Sequence, residues 1–317
     1  MADELDELAA LIAERALARL RAERAPAPGD AQRGSPALAQ WPAPAVPPRA
    51  VGTPAEVAKV CGPDGCAPCE ELQSCSAHEL YKIGTARISP LAIRTSKDLA
   101  PYIDHTLLKA DATRDELVKL CDEARKYGFA TVCVNSANVG LASRLLAGSS
   151  TQAIAVVGFP LGAASSGAKA FETREAVRAG AGEIDMVINL GALKAKNYAF
   201  VECDIREVVQ AAKPRPVKVI IETGALSRDE KVIACALAKA AGAAFVKTST
   251  GFGPGGATAE DIALMRGVVG DDVGVKASGG VRTTADAQKM VEAGANRLGA
   301  SASVAIVTGQ SAGAGKY

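Results

Sequence analysis

From about residue 96 onward, short apolar runs alternate with longer stretches in which apolar residues recur at helical spacing. Bounded by glycine, proline and polar residues, the short runs predict β-strands, and the longer stretches predict amphipathic helices. We place eight strands at 102–104, 131–134, 153–157, 183–188, 217–221, 244–247, 273–276 and 297–299. We place helices between them at 114–127, 168–179, 200–212, 228–240, 259–269 and 284–293.

Strict alternation of eight strands with helices over about 220 residues predicts an α/β fold of the (β/α)8 TIM-barrel type. A doubly wound open sheet is the alternative, but no G-x-G-x-x-G follows the first strand. In a barrel, polar residues at the carboxyl ends of the strands meet at one mouth, so the site is expected there.

Two lysines end neighbouring strands of this barrel. Lys247 closes the sixth strand and is followed by hydroxyl residues and a glycine turn, and Lys276 closes the seventh in a similar context. Burial favours the neutral amine, and a neutral amine can attack a carbonyl carbon. If the two lysines lie close together, the ammonium of one would lower the pKa of the other further. The alternative is that each lysine only extends from its strand end into water.

One carboxylate lies inside an apolar run. Asp185 sits between Ile184 and Met186 in the fourth strand, where it needs a cationic or hydrogen-bonding partner. We expect it to face the two lysines. A purely structural ion pair is the alternative.

Glycine-rich loops follow the seventh and eighth strands. Gly279 and Gly280 precede Arg282, and Gly299 precedes Ser301. TIM barrels commonly bind phosphate at these two loops, since glycine lets backbone N–H groups approach an anion. A phosphorylated substrate is therefore expected. The alternative is that the glycines serve tight turns only.

The first ninety-odd residues do not show the alternation of strands and helices that marks the barrel. Residues 3–21 predict an amphipathic helix, within a segment 1–24 that we interpret as a docking or targeting helix. Residues 25–57 predict a disordered linker, because eight prolines fall between 25 and 54. The pattern resembles encapsulation peptides of bacterial microcompartments, which makes a shell protein the expected partner. A helix that packs on its own domain or self-associates is the alternative.

Residues 58–95 form a cysteine-rich segment ahead of the barrel domain at 96–317. Cys61, Cys66 and Cys69, with either Cys75 or His78, are spaced so that tight turns could bring them to one metal ion. Zinc or a small iron–sulfur cluster is the predicted occupant. Free or redox-labile thiols in a mobile segment are the alternative.

Composition excludes some classes of function. The net charge of +1 gives no electrostatic footprint for nucleic acid. No apolar run approaches the roughly 20 residues that a membrane helix needs. The first residues are acidic where a secretory signal would be basic, which predicts a cytoplasmic protein.

Six motifs in this order are similar to the signature of the deoxyribose-phosphate aldolase family, and the resemblance runs from about residue 99 to the carboxyl terminus. They lie at 104–109 (DHTLLK), 172–174 (ETR), 183–187 (EIDMV), 218–223 (KVIIET), 245–251 (FVKTSTG) and 276–282 (KASGGVR). The resemblance implies a class I aldolase that needs no cofactor for catalysis. Such an enzyme cleaves 2-deoxy-D-ribose 5-phosphate reversibly to acetaldehyde and D-glyceraldehyde 3-phosphate.

The resemblance also implies roles for residues. Lys247 would form the Schiff base, Lys276 would depress its pKa, and Asp185 would relay protons through water. Tyr317 ends a tail that reaches the active site in many members of the family. Substrate and phosphate contacts are expected from the residues of the mouth, namely Asp104, Thr248, Gly251, Gly279, Gly280, Arg282, Gly299 and Ser301.

One departure from the family concerns the last loop. Ala302 stands where the family has a second adjacent serine, so a phosphate contact is lost or moves to Ser303. Two alternatives therefore stay open beside the aldolase, which we expect to be a homo-oligomer. One is a catalytically silent barrel that acts as an interaction protein, and the other is a related Schiff-base aldolase with a different acceptor aldehyde.

Overall fold

The computed structural model of the chain describes residues 93–310. In this part of the chain a 3₁₀ helix at Ser96–Tyr102 leads into eight strands and nine α-helices. The strands are β1 (Ile103–Leu107), β2 (Thr131–Asn135), β3 (Gln152–Val157), β4 (Glu183–Val187), β5 (Val217–Ile220), β6 (Phe245–Lys247), β7 (Gly274–Ser278) and β8 (Arg297–Ala300). The helices are α1 (Arg114–Tyr127), α2 (Val139–Leu145), α3 (Ser166–Arg178), α4 (Leu190–Lys194), α5 (Tyr198–Ala212), α6 (Arg228–Ala240), α7 (Ala259–Val269), α8 (Thr284–Glu292) and α9 (Ser303–Thr308).

The strands form one closed parallel barrel. Each strand pairs with the next along the chain, and β8 pairs with β1. The predicted TIM barrel is confirmed, and each predicted strand begins within one residue of the observed one. The prediction missed α2, α4 and α9, because helices of five to seven residues are too short to show a helical period.

Local sequence signals fix where the long helices begin and end. Thr113 caps α1, accepting a hydrogen bond from the Glu116 backbone N–H while the Glu116 carboxylate accepts one from the Thr113 N–H. Ser227 and Glu230 form the same capping box at the start of α6. Gly128 ends α1 with φ of 71°, a left-handed conformation that glycine adopts without steric cost.

Side chains inside the barrel divide into an apolar and a charged half. Leu108, Cys133, Ile154 and Val156 form a buried apolar cluster on the side of β2 and β3, with Phe159 packed against it. Charged side chains from β1 and from β4 to β8 fill the rest of the interior. The reactive groups therefore face an apolar wall across the barrel.

The ring of Phe245 packs against two cations of the charged half. Phe245 lies 5.7 Å from the Lys218 Nζ and 5.2 Å from the Arg297 guanidinium carbon, measured to the ring centroid. Gly274 on the neighbouring strand leaves space for this ring, since a Cβ there would lie 2.2 Å from it. Cations over an aromatic face are stabilised by its quadrupole.

Residues 1–92 and 311–317 lie outside the described part of the chain. The predicted docking helix, the linker, nearly all of the cysteine-rich segment and Tyr317 fall there, so these predictions stay as such. Within residues 93–310, no helix combines the length and the apolar character needed to cross a bilayer.

Candidate active site

Asp185 lies at the centre of three lysines in the barrel interior. Its Oδ2 accepts hydrogen bonds from Lys247 Nζ at 2.9 Å and Lys276 Nζ at 2.7 Å. Its Oδ1 accepts one from Lys218 Nζ at 2.8 Å. All four side chains are at most 2% exposed. The structure thus brings together the two lysines and the carboxylate that the sequence singled out, and adds a third lysine.

Strand register explains this convergence. Asp185 pairs with Lys218 across β4 and β5, and Lys247 pairs with Lys276 across β6 and β7. Since side chains alternate between the two faces of a strand, residues at matching register on adjacent strands point into the same layer of the barrel. Lys247 pairs with Ile220, two residues after Lys218, so the two pairs come from successive inward-facing positions and their side chains meet at the Asp185 carboxylate.

The electrostatics single out Lys247 among the lysines. Burial lowers the pKa of the Lys247 amine, and the neighbouring Lys276 ammonium adds to this against the attraction of Asp185. Burial also disfavours charge on Lys276, but Asp104 and Asp185 outweigh it and raise the pKa of that amine. Lys247 is therefore the amine that most readily becomes neutral, and Lys276 stays an ammonium.

The three lysines keep the Asp185 carboxyl group ionised. Burial alone would raise its pKa, but Lys218, Lys247 and Lys276 together hold the pKa well below the usual 3.8. The group is a permanent carboxylate at neutral pH. It can accept hydrogen bonds and orient water, whereas a resting carboxylic acid is excluded by its surroundings.

A second layer of charge lies beneath this cluster. Arg297 Nη1 donates to Asp104 Oδ1 at 2.8 Å and to Glu183 Oε2 at 2.9 Å. Lys218 Nζ forms a close ion pair with Glu183 and lies 3.7 Å from Asp104 Oδ2. Sequence reasoning missed Lys218, Glu183 and Arg297. A signal was present for Lys218, which is a charged residue inside an apolar strand as Asp185 is, whereas Glu183 and Arg297 are the first residues of their strands.

The network balances only if one amine is neutral. It contains the carboxylates of Asp104, Glu183 and Asp185 and the cationic groups of Lys218, Lys247, Lys276 and Arg297. Three negative charges face three positive ones when Lys247 carries no proton. A fully buried net charge is costly, so the count favours a neutral Lys247.

Asp104, which was predicted to contact substrate, lies within the buried charge network, and its contact with substrate stays a prediction. It is fully buried, accepts a hydrogen bond from Thr131 Oγ1 at 2.8 Å, and pairs with Lys276 Nζ at 2.5 Å and with Arg297. These ion pairs hold the pKa of Asp104 below its usual range, although burial opposes them. Its observed contacts are with the network and with β2.

Three of the predicted glycines adopt conformations that favour glycine. Gly251, Gly279 and Gly280 have φ of 88°, 88° and 80°. Gly279 also lies against Gly256 of the β6–α7 loop, and its carbonyl accepts from the Ala257 N–H at 2.9 Å. The loops after β6 and β7 are therefore joined at the mouth, where their backbones can approach a ligand.

Two predicted contact residues are engaged within the protein. Thr248 Oγ1 donates to the Ser278 carbonyl at 2.8 Å and accepts from the Ser278 N–H at 3.0 Å, joining β6 to β7. Gly299 makes room for Lys276, since a Cβ on it would lie 2.9 Å from the lysine Cε. Ser301 and Arg282 are exposed at the rim. Their phosphate contacts remain predictions.

Ser303 is not free to replace the missing serine. It is fully buried, its Oγ donates to the Ala300 carbonyl at 2.8 Å, and it lies 2.9 Å from His105 Nδ1. The other ring nitrogen of His105 lies 2.9 Å from Glu123 Oε2 on α1. This side of the β8–α9 loop is thus fastened to the outer face of the barrel.

Glu222 lies two residues after β5, at the mouth, and sequence reasoning assigned it no specific role. Its backbone is left-handed, with φ of 56°, which is strained for a residue other than glycine. Its buried carboxylate accepts from the Thr250 N–H at 3.1 Å and from the Thr250 hydroxyl at 2.5 Å. That hydroxyl in turn accepts from the N–H groups of Phe252 and Gly253. Glu222 therefore shapes the loop that follows Lys247.

No three His, Cys, Asp or Glu side chains in residues 93–310 are grouped so that they could hold a metal ion. The predicted ligands Cys61, Cys66, Cys69 and Cys75 lie outside those residues. The four described cysteines form no disulfide. Cys133 faces the barrel interior, and burial raises the pKa of its thiol to about 11.

A closed parallel barrel with a buried lysine amine, set against a carboxylate and a second ammonium, is typical of enzymes that act on carbonyl compounds through a lysine. The comparisons with known proteins narrow this class. The chain belongs to the DeoC/LacD aldolase family, since the model of the DeoC/LacD family aldolase matches residues 99–315.

Relatives with high sequence identity to this chain are deoxyribose-phosphate aldolases. The chain is 60% identical to a deoxyribose-phosphate aldolase of Bacillus mycoides (strain KBAB4), over 68% of this chain and 98% of the relative. It is 58% identical to one of Streptococcus sanguinis (strain SK36), over 68% of this chain and 97% of the relative. The solved tetrameric deoxyribose phosphate aldolase of Aeropyrum pernix is 33% identical, with a TM-score of 0.62, over 74% of this chain and 97% of that one.

Proposed function

We propose that this protein is a class I aldolase that cleaves 2-deoxy-D-ribose 5-phosphate to acetaldehyde and D-glyceraldehyde 3-phosphate, and catalyses the reverse addition. The observation that carries the proposal is that Lys247 and Lys276 both contact Oδ2 of Asp185, in a charge network that balances when Lys247 is neutral. Membership of the aldolase family and the high identity to deoxyribose-phosphate aldolases support the choice of substrate.

In the proposed reaction, the neutral Lys247 amine adds to the aldehyde carbon of the open-chain sugar. Loss of water gives a protonated imine, which draws electrons from the adjacent carbon–carbon bond. As the C3 hydroxyl loses its proton, the C2–C3 bond breaks, D-glyceraldehyde 3-phosphate leaves and an enamine remains on Lys247. Protonation at C2 and addition of water then release acetaldehyde and restore the amine.

Asp185 and Lys276 would manage the proton transfers of this cycle. A carboxylate that stays ionised can orient a water molecule to accept the proton of the C3 hydroxyl and return it later. Lys276 stays an ammonium, so it stabilises negative charge that develops on the hydroxyl oxygens and disfavours a proton on Lys247. The apolar wall of Leu108, Ile154 and Val156 suits the methyl end of acetaldehyde.

The phosphate would lie at the mouth beyond Lys276. Backbone N–H groups of the glycine-rich loops after β7 and β8 are the proposed donors, with Arg282 and Ser301 at the rim. Thr248 and Gly251 would shape the sugar-binding side of the mouth. The proposed role of Tyr317 in proton transfer belongs to a part of the chain that the structure does not describe.

Turnover of the natural substrate tests this function. We expect the purified full chain to release acetaldehyde from 2-deoxy-D-ribose 5-phosphate, measured by coupled reduction of the acetaldehyde with alcohol dehydrogenase and NADH. Lys247→Met should abolish release, while the exposed Lys97→Met should leave it unchanged. An inactive wild-type chain would favour the silent barrel, and activity only with another acceptor aldehyde would favour a related aldolase.

We further propose that residues 1–24 direct this enzyme to a partner, a microcompartment shell protein, within the cytoplasm. The amphipathic pattern of residues 3–21 and the proline-rich stretch behind it support this. Deleting residues 1–24 should leave turnover intact and abolish localisation of a fluorescent fusion to microcompartments. Loss of turnover would instead assign the segment to the catalytic fold.

Two finer features complete the proposal. The protein is a homo-oligomer, as the relative from Aeropyrum pernix is described as a tetramer, and light scattering of the full chain tests this.

Residues 58–95 bind zinc or an iron–sulfur cluster through the four clustered cysteines, and catalysis does not depend on it. Metal analysis of the full chain beside a variant with all four cysteines changed to serine tests the second point.

A further inference from the structure

We propose that Lys218 is a positioning residue that keeps Lys247 uncharged by holding the opposite oxygen of Asp185. This inference rests on the proposed function and names a residue of the same site that has no contact with the reacting atoms. Lys218 Nζ donates to Asp185 Oδ1, whereas Lys247 and Lys276 both use Oδ2. Lys218 thus occupies the oxygen that Lys247 does not reach.

The place of Lys218 in the network makes it a fixed cation. Its side chain is fully buried and contacts Glu183 as well as Asp185, with Asp104 at 3.7 Å. Burial lowers its pKa, but these carboxylates outweigh burial and raise it. Lys218 therefore carries its charge throughout the pH range in which Lys247 loses its own.

Removing this one charge breaks the balance described above. Without Lys218, three carboxylates face only Lys276 and Arg297 as fixed cations. Asp185 then has an oxygen without a hydrogen-bond donor and one negative charge in excess. A proton on Lys247 restores both the balance and the attraction to Asp185, so the neutral amine becomes rarer.

The other strands that face Lys247 offer no substitute. In the described residues, β2 and β3 contribute Cys133, Ile154 and Val156 to this part of the interior, none of which is cationic. Cys133 keeps its proton at neutral pH, because burial raises the pKa of the thiol. The remaining charged groups that face the amine are those of the network, on β1, β4, β5, β7 and β8: Asp104, Glu183, Asp185, Lys218, Lys276 and Arg297.

The test is the pH dependence of kcat/KM for 2-deoxy-D-ribose 5-phosphate. In Lys218→Met, which keeps the length and apolar stem of the side chain, we expect the acidic limb of the profile to move upward by at least about one pH unit. Asp185 loses a cation that offsets its attraction for a proton on Lys247, and an uncompensated charge acts strongly in a buried site. Activity at a pH below the limb should fall by about tenfold or more, and should recover at higher pH.

Lys169→Met is the matched control. Lys169 is a fully buried lysine paired with Asp204 at 2.7 Å, between α3 and α5 and outside the barrel interior. This variant also loses a buried ion pair, but its acidic limb should coincide with that of the wild type. A shift of equal size in both variants would assign the effect to general destabilisation and overturn the inference.

If Lys218→Met does not fold, a second variant that removes a negative charge from the network tests the same inference. Glu183→Gln removes one negative charge from the network at nearly constant size, so the acidic limb should move downward. An unmoved limb, or an upward one, in Glu183→Gln would overturn the inference, as would an unmoved limb in a folded Lys218→Met. A wild-type chain that does not cleave the substrate would instead refute the proposed function.

Discussion

Gly299→Ala tests the packing that holds Lys276 in place. Gly299 lies in β8, opposite Ser278 of β7 in the strand register. A Cβ at this position would lie 2.5 Å from the Ser278 hydroxyl oxygen and 2.9 Å from Lys276 Cε. Ordinary carbon–carbon contact needs about 3.5–4.0 Å, so the lysine stem must move by roughly 0.5–1 Å.

This movement has two measurable costs. Overpacking a filled interior typically lowers the free energy of unfolding by about 1–3 kcal/mol. The contact of Lys276 Nζ with Asp185, now 2.7 Å, also lengthens to roughly 3.2–3.7 Å, which is at or beyond the limit of a useful hydrogen bond. A displacement of about 1 Å at a reacting centre can reduce turnover by about a hundredfold, so we expect kcat to fall by about 10- to 100-fold.

Urea unfolding and steady-state kinetics with 2-deoxy-D-ribose 5-phosphate measure the two effects. Gly167→Ala is the control, because a Cβ there meets no atom within 4 Å and the residue lies in α3. It should leave kcat unchanged and raise stability by about 0.5–1 kcal/mol. A Gly299→Ala enzyme with unchanged kcat and stability would refute the packing argument. A rise in KM alone would instead indicate that Gly299 contacts the substrate phosphate, as the sequence predicted.

Three further predictions concern a buried ion pair between two helices, a hydrogen bond near the last loop and the effect of acid on stability. Lys169→Met should lower the free energy of unfolding by about 3–5 kcal/mol in urea titrations, because it leaves a buried carboxylate without its partner; a loss below about 1 kcal/mol would contradict this. Ser303→Ala should raise KM for the phosphorylated sugar several-fold and leave kcat/KM for unphosphorylated 2-deoxyribose unchanged, since it removes the link from His105 to the β8–α9 loop; an equal change for both sugars would count against the link. Acid should destabilise the fold through Asp104 and Asp185, whose pKa values are lowered on folding. Their contribution is fully present above the unfolded value of about 3.8 and is lost as pH falls below it, with a slope of up to about 2.7 kcal/mol per pH unit for the two groups. Unfolding free energies measured from pH 6 to pH 3 that stay flat would contradict this.

The fold was predictable because the sequence is consistent at several levels. Apolar runs mark the strands and helical spacing of apolar residues marks the helices, so α1, α6 and α7 were predicted to the residue; capping residues such as Thr113 agree with these bounds. The short helices escaped detection because their stability comes from packing, which leaves little periodic signal in the chain.

The site was predictable where a residue breaks the apolar pattern of its strand. Lys247, Lys276 and Asp185 were identified in this way, and Lys218 could have been identified by the same signal. Their partners could not, because pairing depends on barrel closure and register, which bring β1 and β8 beside each other. The strained backbone of Glu222 has no sequence signal, since its conformation is imposed by the loop around Thr250.

The most direct test of the central claim is the identity of the lysine that forms the imine. The full chain is incubated with 2-deoxy-D-ribose 5-phosphate, reduced with borohydride, digested and mapped by mass spectrometry. We expect a single reduced adduct on Lys247, with none on Lys218 or Lys276, because among these three lysines Lys247 alone has its pKa lowered by its surroundings. An adduct on Lys218 or Lys276, or on surface lysines only, would contradict the account.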